Sequence, residues 1–251
     1  MAKEKVVGTC RLCLTPQVEL QNSHIVPEFL YTRIYDVRGR FQVFTDPGDR
    51  PGLEQKGFRE PLLCKECEVK FSLWEKYVKE LLFDRAPAGI DCGDRMEYPG
   101  VDYAKFKLFQ MSLIWRMGAT SLERFSNVNM GGAHLECLRD MLDRSDPGEP
   151  YEYGCWLGAI SSRIHELGQV MMAPIRVRKK VLDHTCYQAL LGGVFWNFFV
   201  SSHMEKFPYP GLFISKQDVL GIWKEGMKAS QAVDHRAEQI KRRNAAHLRS
   251  P

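Results

Sequence analysis

Apolar residues recur every three or four positions in several segments, a spacing that places them on one face of an α-helix. The clearest case follows Cys67, where Val69, Phe71, Trp74 and Val78 are interleaved with glutamate and lysine. The same spacing predicts three further helices: a short one ending near residue 39, one over residues 103–125 and one over residues 134–144. A substantial part of the chain is therefore expected to be helical.

Other segments alternate between apolar and polar residues or stay apolar throughout, as strands do. Strand-like patterns occupy residues 41–44, 170–173, 175–177, 187–200 and 212–214. The apolar run at 187–200 is interrupted by two glycines and is also compatible with a core helix. Beyond it, Ser215 with Asp218 three residues later predicts the start of a final helix.

These patterns predict an α+β fold with a break near residue 90. Proline and glycine at residues 86–89, with another glycine at 93, favour a boundary there. We expect a metal-binding module over residues 1–90. We expect an α+β domain of unassigned role, with mixed helices and strands and a basic C-terminal helix, over residues 91–251.

The composition is that of a globular protein, with 251 residues, 44% of them hydrophobic and 26% charged. The net charge of +4 resides in residues 224–251, since the remainder of the chain is balanced. Such a tail favours a local attraction to polyanions, although most basic helices are simply solvated.

The sequence predicts a cytoplasmic protein without a membrane segment. No window reaches about 18 apolar residues free of charge, and no secretory signal precedes the first cysteine. Four cysteines are scattered singly and are expected to be buried thiols rather than disulfides: Cys92, Cys137, Cys155 and Cys186.

The other four cysteines form two pairs, each with a gap of two residues. Cys10 pairs with Cys13, and Cys64 pairs with Cys67. A tight turn of this length presents both thiolates to one ion, and two such turns complete a tetrahedral site. We therefore predict a structural zinc held by these four residues.

The segment between the pairs contains Ser-His-Ile-Val-Pro at residues 23–27, and Leu-Leu-Cys-Lys-Glu-Cys at 62–67 leads into the predicted helix. This combination resembles the HNH endonucleases of the ββα-metal class, in their cysteine-rich, treble-clef subtype. The resemblance covers about residues 8–85.

The resemblance implies a metal-dependent nuclease that hydrolyses phosphodiesters, with DNA favoured over RNA as its partner. His24 takes the position of the general base, and Glu68 is the candidate oxygen ligand for a catalytic Mg²⁺ or Mn²⁺. Nucleases of this kind joined to a large unrelated domain resemble restriction or phage-defence effectors. A homo-oligomer or a partner subunit is also compatible with this arrangement.

Three positions depart from the family pattern. Ser23 stands where an acidic residue is usual, Arg59 and Glu60 where an asparagine is expected, and Glu68 where a histidine or asparagine closes the motif. Glu75, seven residues after Glu68, could supply a second carboxylate or be a solvated surface residue. A second hypothesis is therefore a non-catalytic zinc module that binds nucleic acid or protein, with a structural His24.

Overall fold

The computed structural model describes residues 5–44, 52–84, 88–159, 170–177, 184–202 and 211–224. Four α-helices lie in these ranges: α1 (Glu28–Tyr31), α2 (Lys65–Lys79), α3 (Tyr103–Ala119) and α4 (Gly132–Asp143). A π-helical turn, Glu80–Asp84, continues α2, and a 3₁₀ turn, Glu123–Phe125, follows α3.

Twelve strands lie in the same ranges: β1 (Val6–Gly8), β2 (Val18–His24), β3 (Arg40–Phe44), β4 (Gly52–Gln55), β5 (Arg59–Leu63), β6 (Ile90–Asp91), β7 (Arg95–Pro99), β8 (Cys155–Ala159), β9 (Val170–Arg176), β10 (Thr185–Leu191), β11 (Val194–Val200) and β12 (Val219–Trp223). The fold is therefore mixed α+β, as the sequence predicts.

A small antiparallel sheet in the order β1-β2-β5 forms the N-terminal part. Helix α2 begins directly after β5, so two paired strands and a helix follow one another around the cysteines. Ser23, near the end of β2, is 1% exposed, and its hydroxyl accepts the backbone N–H of Leu63 at 3.2 Å. This bond fastens β2 to the end of β5.

The second sheet has nine strands in the order β4-β3-β9-β10-β11-β8-β12-β7-β6. Strand β3 runs parallel to β9, and β12 runs parallel to β8, whereas the other pairs are antiparallel. Strands from both sides of residue 90 thus share one sheet. The division into residues 1–90 and 91–251 stays a prediction about independent folding units.

Every residue of α3 from Phe106 to Met117 is buried, because the helix lies between α2 and the large sheet. Trp115 meets Phe71 of α2 edge to face, and Phe106 and Phe109 pack on Trp196 of β11. Burial on all faces is typical of a helix in a core position, and α3 also buries polar side chains such as Lys107 and Arg116. One continuous core therefore joins the cysteine module to the sheet.

Most of the predicted elements are confirmed. The helix after Cys67 is α2, and the strand-like runs at 41–44, 170–177 and 187–200 are β3, β9 and the β10–β11 hairpin. The helix predicted over 103–125 ends earlier, at Ala119. The short helix predicted to end near residue 39 is α1, which ends at Tyr31. The residue pattern did not predict strands β1, β2, β5, β6, β7 and β8.

The prediction of a final helix beginning at Ser215 is wrong for residues 219–223, which form β12. Tertiary pairing with β7 and β8 overrides the local capping pattern. Residues 212–214 precede β12 as irregular backbone rather than a strand. The predicted basic C-terminal helix lies outside the described residues.

Cys155 and Cys186 are buried as predicted, but Cys92 and Cys137 are exposed because they lie on an outer hairpin and on the outer side of α4.

None of the helices in the described ranges combines the length and the apolar character needed to cross a membrane.

Candidate functional site

The four paired cysteines converge at one end of the small sheet. Cys10 and Cys13 lie in the turn between β1 and β2, where the Leu14 N–H donates to the Cys10 carbonyl at 3.0 Å. Cys64 precedes the first residue of α2, and Cys67 lies in the first turn of that helix. The turn between β1 and β2 and the N-terminus of α2 thus each contribute two thiols to the same site.

The sulfur geometry fits a tetrahedral ion. The four Sγ atoms all lie within 4.8 Å of one another, and those of Cys13 and Cys64 are 3.8 Å apart. Zn–S bonds of about 2.3 Å in a tetrahedron place neighbouring sulfurs about 3.8 Å apart. The cluster is therefore placed to hold a metal ion and is consistent with structural zinc.

The electrostatics of the cluster also favour a cation. The hydrogen bond to Cys67 lowers the pKa of Cys10 to about 4, whereas the same bond raises the pKa of Cys67. Burial raises the pKa of Cys64 to about 11. Without a cation, one thiolate would be stabilised by protons held on its neighbours, whereas a bound divalent ion allows all four to ionise.

Neighbouring elements hold the first cysteine turn in place. Arg139 of α4 donates to the carbonyl of Leu12 at 2.7 Å, and the Arg11 N–H donates to the Leu62 carbonyl at 3.1 Å. Leu12 itself is completely buried. The turn is thus anchored to β5 and to α4.

His24 is the last residue of β2, beside Arg59 of β5. Its ring is 26% exposed, and Nε2 lies 3.1 Å from Glu28 Oε2. Tyr35 donates its hydroxyl to the other Glu28 oxygen at 2.8 Å, and an Arg59 nitrogen lies 3.4 Å from Oε2. Four polar side chains therefore form one half-exposed cluster, which we call the His24 cluster.

The protonation states within this cluster follow from its contacts. Burial, followed by the positive charge of Arg59, lowers the pKa of His24, although Glu28 and Glu75 act in the opposite direction. Burial acts to raise the pKa of Glu28, but the hydrogen bonds from Tyr35 and His24 outweigh it and lower that pKa. An ionised Glu28 only accepts, so Nε2 of His24 carries the proton and Nδ1 is left as an acceptor.

The structure brings Glu68 to Ser23. Burial raises the pKa of Glu68, and the nearby Ser23 hydroxyl acts against that rise. The carboxyl oxygen Oε1 of Glu68 is buried without a hydrogen-bond partner. A role for Glu68 as a metal ligand stays a prediction, although its unpartnered oxygen fits one.

Glu75 is not a solvated surface residue. Its carboxylate pairs at 2.7 Å with Arg116 of α3, whose side chain is only 2% exposed. The same guanidinium donates to the carbonyl of His24 at 2.9 Å. Arg116 thus ties α2 and the end of β2 to α3 directly beneath the His24 cluster.

Among the described residues, no second group of three or more histidine, cysteine or carboxylate ligands is close enough to hold an ion.

The sequence did not indicate a role for four residues around His24: Glu28, Tyr35, Arg59 and Arg116. For Glu28, the spacing of four residues from His24 is a usable signal. Arg116 offers no such sequence signal, because it lies 92 positions from His24 in the chain.

Comparisons with known proteins add no identification. No family model matches the chain, and no match is found among curated proteins or solved structures.

Proposed function

We propose that the N-terminal module is a treble clef of the ββα-metal type and that the protein is a nuclease with His24 as its general base. The support is the order of parts: two cysteine turns, the paired strands β2 and β5, and α2, with His24 at the end of the first paired strand. The observation that carries the proposal is the His24 ring, 26% exposed and bound to Glu28.

In this mechanism Nδ1 of His24 accepts a proton from a water molecule whose oxygen attacks the phosphorus. The bond from phosphorus to the leaving oxygen breaks, and solvent protonates that oxygen. Glu28 fixes the tautomer and orientation of the imidazole, and Tyr35 in turn fixes Glu28. Arg59, 40% exposed, is positioned to contact the phosphate.

A divalent Mg²⁺ or Mn²⁺ near Glu68 would supply further charge stabilisation at the phosphate when bound. Mg²⁺ commonly keeps several waters and uses only one or two carboxylates together with substrate phosphate. One partly buried carboxylate with an unpartnered oxygen is compatible with that minimal protein share.

The test is cleavage of plasmid DNA, single-stranded DNA and RNA in Mg²⁺ and in Mn²⁺, with His24→Ala beside the parent protein. We expect DNA cleavage that His24→Ala lowers at least about 100-fold, the usual worth of a positioned general base. His134→Ala is the matched control, since His134 also forms a side-chain hydrogen bond, to Tyr153, but lies on α4, outside the His24 cluster. Equal loss in both variants, or none in His24→Ala, contradicts the mechanism.

The pH dependence provides a separate prediction. Because the pKa of His24 is lowered from 6.5, the base stays neutral down to below that value. We expect kcat/KM to be constant above pH 6.5 and to fall on acidification below it, as His24 becomes protonated. In Glu28→Gln, which loses the negative charge that favours the imidazolium, the acidic limb should move to still lower pH. A limb that moves upward in Glu28→Gln would contradict the assigned pair.

A non-catalytic binding module is the second candidate. The observation in its favour is that Glu75, the second carboxylate considered as a metal ligand, is already paired with Arg116. Nucleic-acid or protein binding without cleavage in either metal would support this alternative.

A further inference from the structure

An apolar cavity of about 130 Å³ lies where α1, the π-helical turn and the large sheet meet. Its wall includes Leu30 of α1, Leu82 and Phe83 of the π-helical turn, and Val194 and Trp196 of β11. None of the residues in the π-helical turn is fully buried, although three of them are large and apolar. Such turns are frequent at functional sites because they displace side chains from the regular helical positions.

The backbone keeps this space open. Gly192, in the turn between β10 and β11, has a φ of 60° and lines the cavity. A Cβ at that position would lie 2.8 Å from Leu30 Cδ2 and 3.3 Å from Phe83 Cζ. A side chain therefore cannot fill the space from this wall without displacing both neighbours.

The volume sets the size of a ligand. Protein interiors contain few voids larger than a water molecule, and apolar cavities of about 150 Å³ stay dry and admit benzene. Drug-sized ligands need about 300 Å³ or more. The cavity described here thus matches one aromatic ring or a short branched aliphatic group.

One cation stands at this otherwise apolar wall. Arg33, an exposed residue, places its guanidinium 4.1 Å from the centre of the Phe83 ring. No carboxylate in the described ranges forms an ion pair with Arg33. Guanidinium binds carboxylate in a two-pronged geometry, so this position is complementary to an anionic end group.

We propose that the cavity binds a small amphipathic carboxylate, with its ring or aliphatic end between Leu30, Phe83 and Trp196 and its carboxylate on Arg33. This inference is independent of the nuclease proposal, because it uses none of the residues of the His24 cluster. The apolar contacts set affinity, and Arg33 sets the preference for an acid.

Phenylacetate and its neutral isostere phenylacetamide are suitable probes. We expect phenylacetate to bind the full chain with a dissociation constant on the order of 1 mM, typical of a ligand of about ten heavy atoms. The indole N–H signal of Trp196, which donates to the Leu191 carbonyl, should shift on titration. Phenylacetamide should bind about tenfold more weakly.

Two variants separate the two parts of the proposed site. Arg33→Met should weaken phenylacetate about tenfold and leave phenylacetamide within about twofold, since only the charge-assisted contact is lost. Val194→Phe should abolish binding of both probes by filling the cavity. Leu53→Phe, at an exposed position on β4, is the control for an added ring.

Thermal unfolding of each variant shows whether it is folded before titration. Absence of binding by both probes to the folded parent protein overturns the proposal. So does phenylacetate binding that survives Val194→Phe in the folded state. Equal weakening of acid and amide by Arg33→Met overturns the assignment of the carboxylate to Arg33.

Discussion

Removing the metal from the four-cysteine cluster is expected to unfold the N-terminal module. Structural zinc contributes on the order of 10 kcal/mol at neutral pH, comparable with the whole stability of about 5–15 kcal/mol of a typical domain. Because the core is continuous from Cys10 to Trp196, the loss should reach beyond the module. A chelator should therefore lower the unfolding midpoint of the whole protein.

Two measurements on two single cysteine-to-serine variants test this expectation: the zinc content per chain and the midpoint of thermal unfolding. Cys64→Ser should lower bound zinc from one equivalent per chain and should unfold at a lower temperature. Cys92→Ser is the matched control, because Cys92 is an exposed cysteine outside the cluster. If Cys64→Ser retains both the metal and the midpoint of the parent protein, the four-cysteine site is wrong.

Local sequence signals were sufficient wherever the structure depends on near neighbours. The two-residue gaps within the cysteine pairs predicted the two metal-binding turns, and the regular spacing of apolar residues predicted α2. The hairpin β10–β11 was ambiguous because Gly192 and Gly193 interrupt a run whose residues are buried on both faces. The structure shows two strands here, not the core helix that the pattern also allowed.

The predicted helix at Ser215 shows where a local signal fails. Asp218 has a φ of 60°, which a helix start does not use, and its carboxylate accepts the N–H of Tyr103 at the start of α3. Its carbonyl accepts the N–H of Val101. The acidic residue that suggested a new helix therefore helps to cap a helix more than 100 positions earlier.

The candidate site was accessible from the sequence only in its local parts. The spacing of the four cysteines is a signal in itself, whereas His24 is indicated by the resemblance of its segment to the HNH endonucleases. Glu28 lies four positions from His24. Arg116 belongs to a helix that reads as core, and nothing in its neighbourhood predicts that it lies beneath His24. A contact between residues so far apart in the chain can be predicted only when the packing of α3 against α2 is known.

Replacing Arg116 with methionine is expected to destabilise the protein by about 3–5 kcal/mol, the usual cost of removing one partner of a buried ion pair. The guanidinium is nearly inaccessible and bonds both Glu75 and the His24 carbonyl, so the substitution leaves a carboxylate and a carbonyl without their donor. Urea unfolding of the parent protein and of Arg116→Met measures the difference.

Surface arginine provides the matched control. Arg144 is 59% exposed and pairs with Asp140 one helical turn away, so Arg144→Met should cost no more than about 0.5 kcal/mol. A cost below about 1 kcal/mol for Arg116→Met would show that the buried pair does not hold α2, β2 and α3 together.

A double substitution distinguishes the ion pair from the bond to His24. Arg116→Met with Glu75→Leu should be less destabilising than Arg116→Met alone, because the orphaned carboxylate is removed. The His24 carbonyl still lacks its donor in the double variant, which retains a cost of about 1–3 kcal/mol. This remaining loss of unfolding free energy measures the contribution of the hydrogen bond from Arg116 to the His24 carbonyl. If the double variant is as unstable as Arg116→Met, Glu75 is not the partner that matters, and the pairing described here is contradicted.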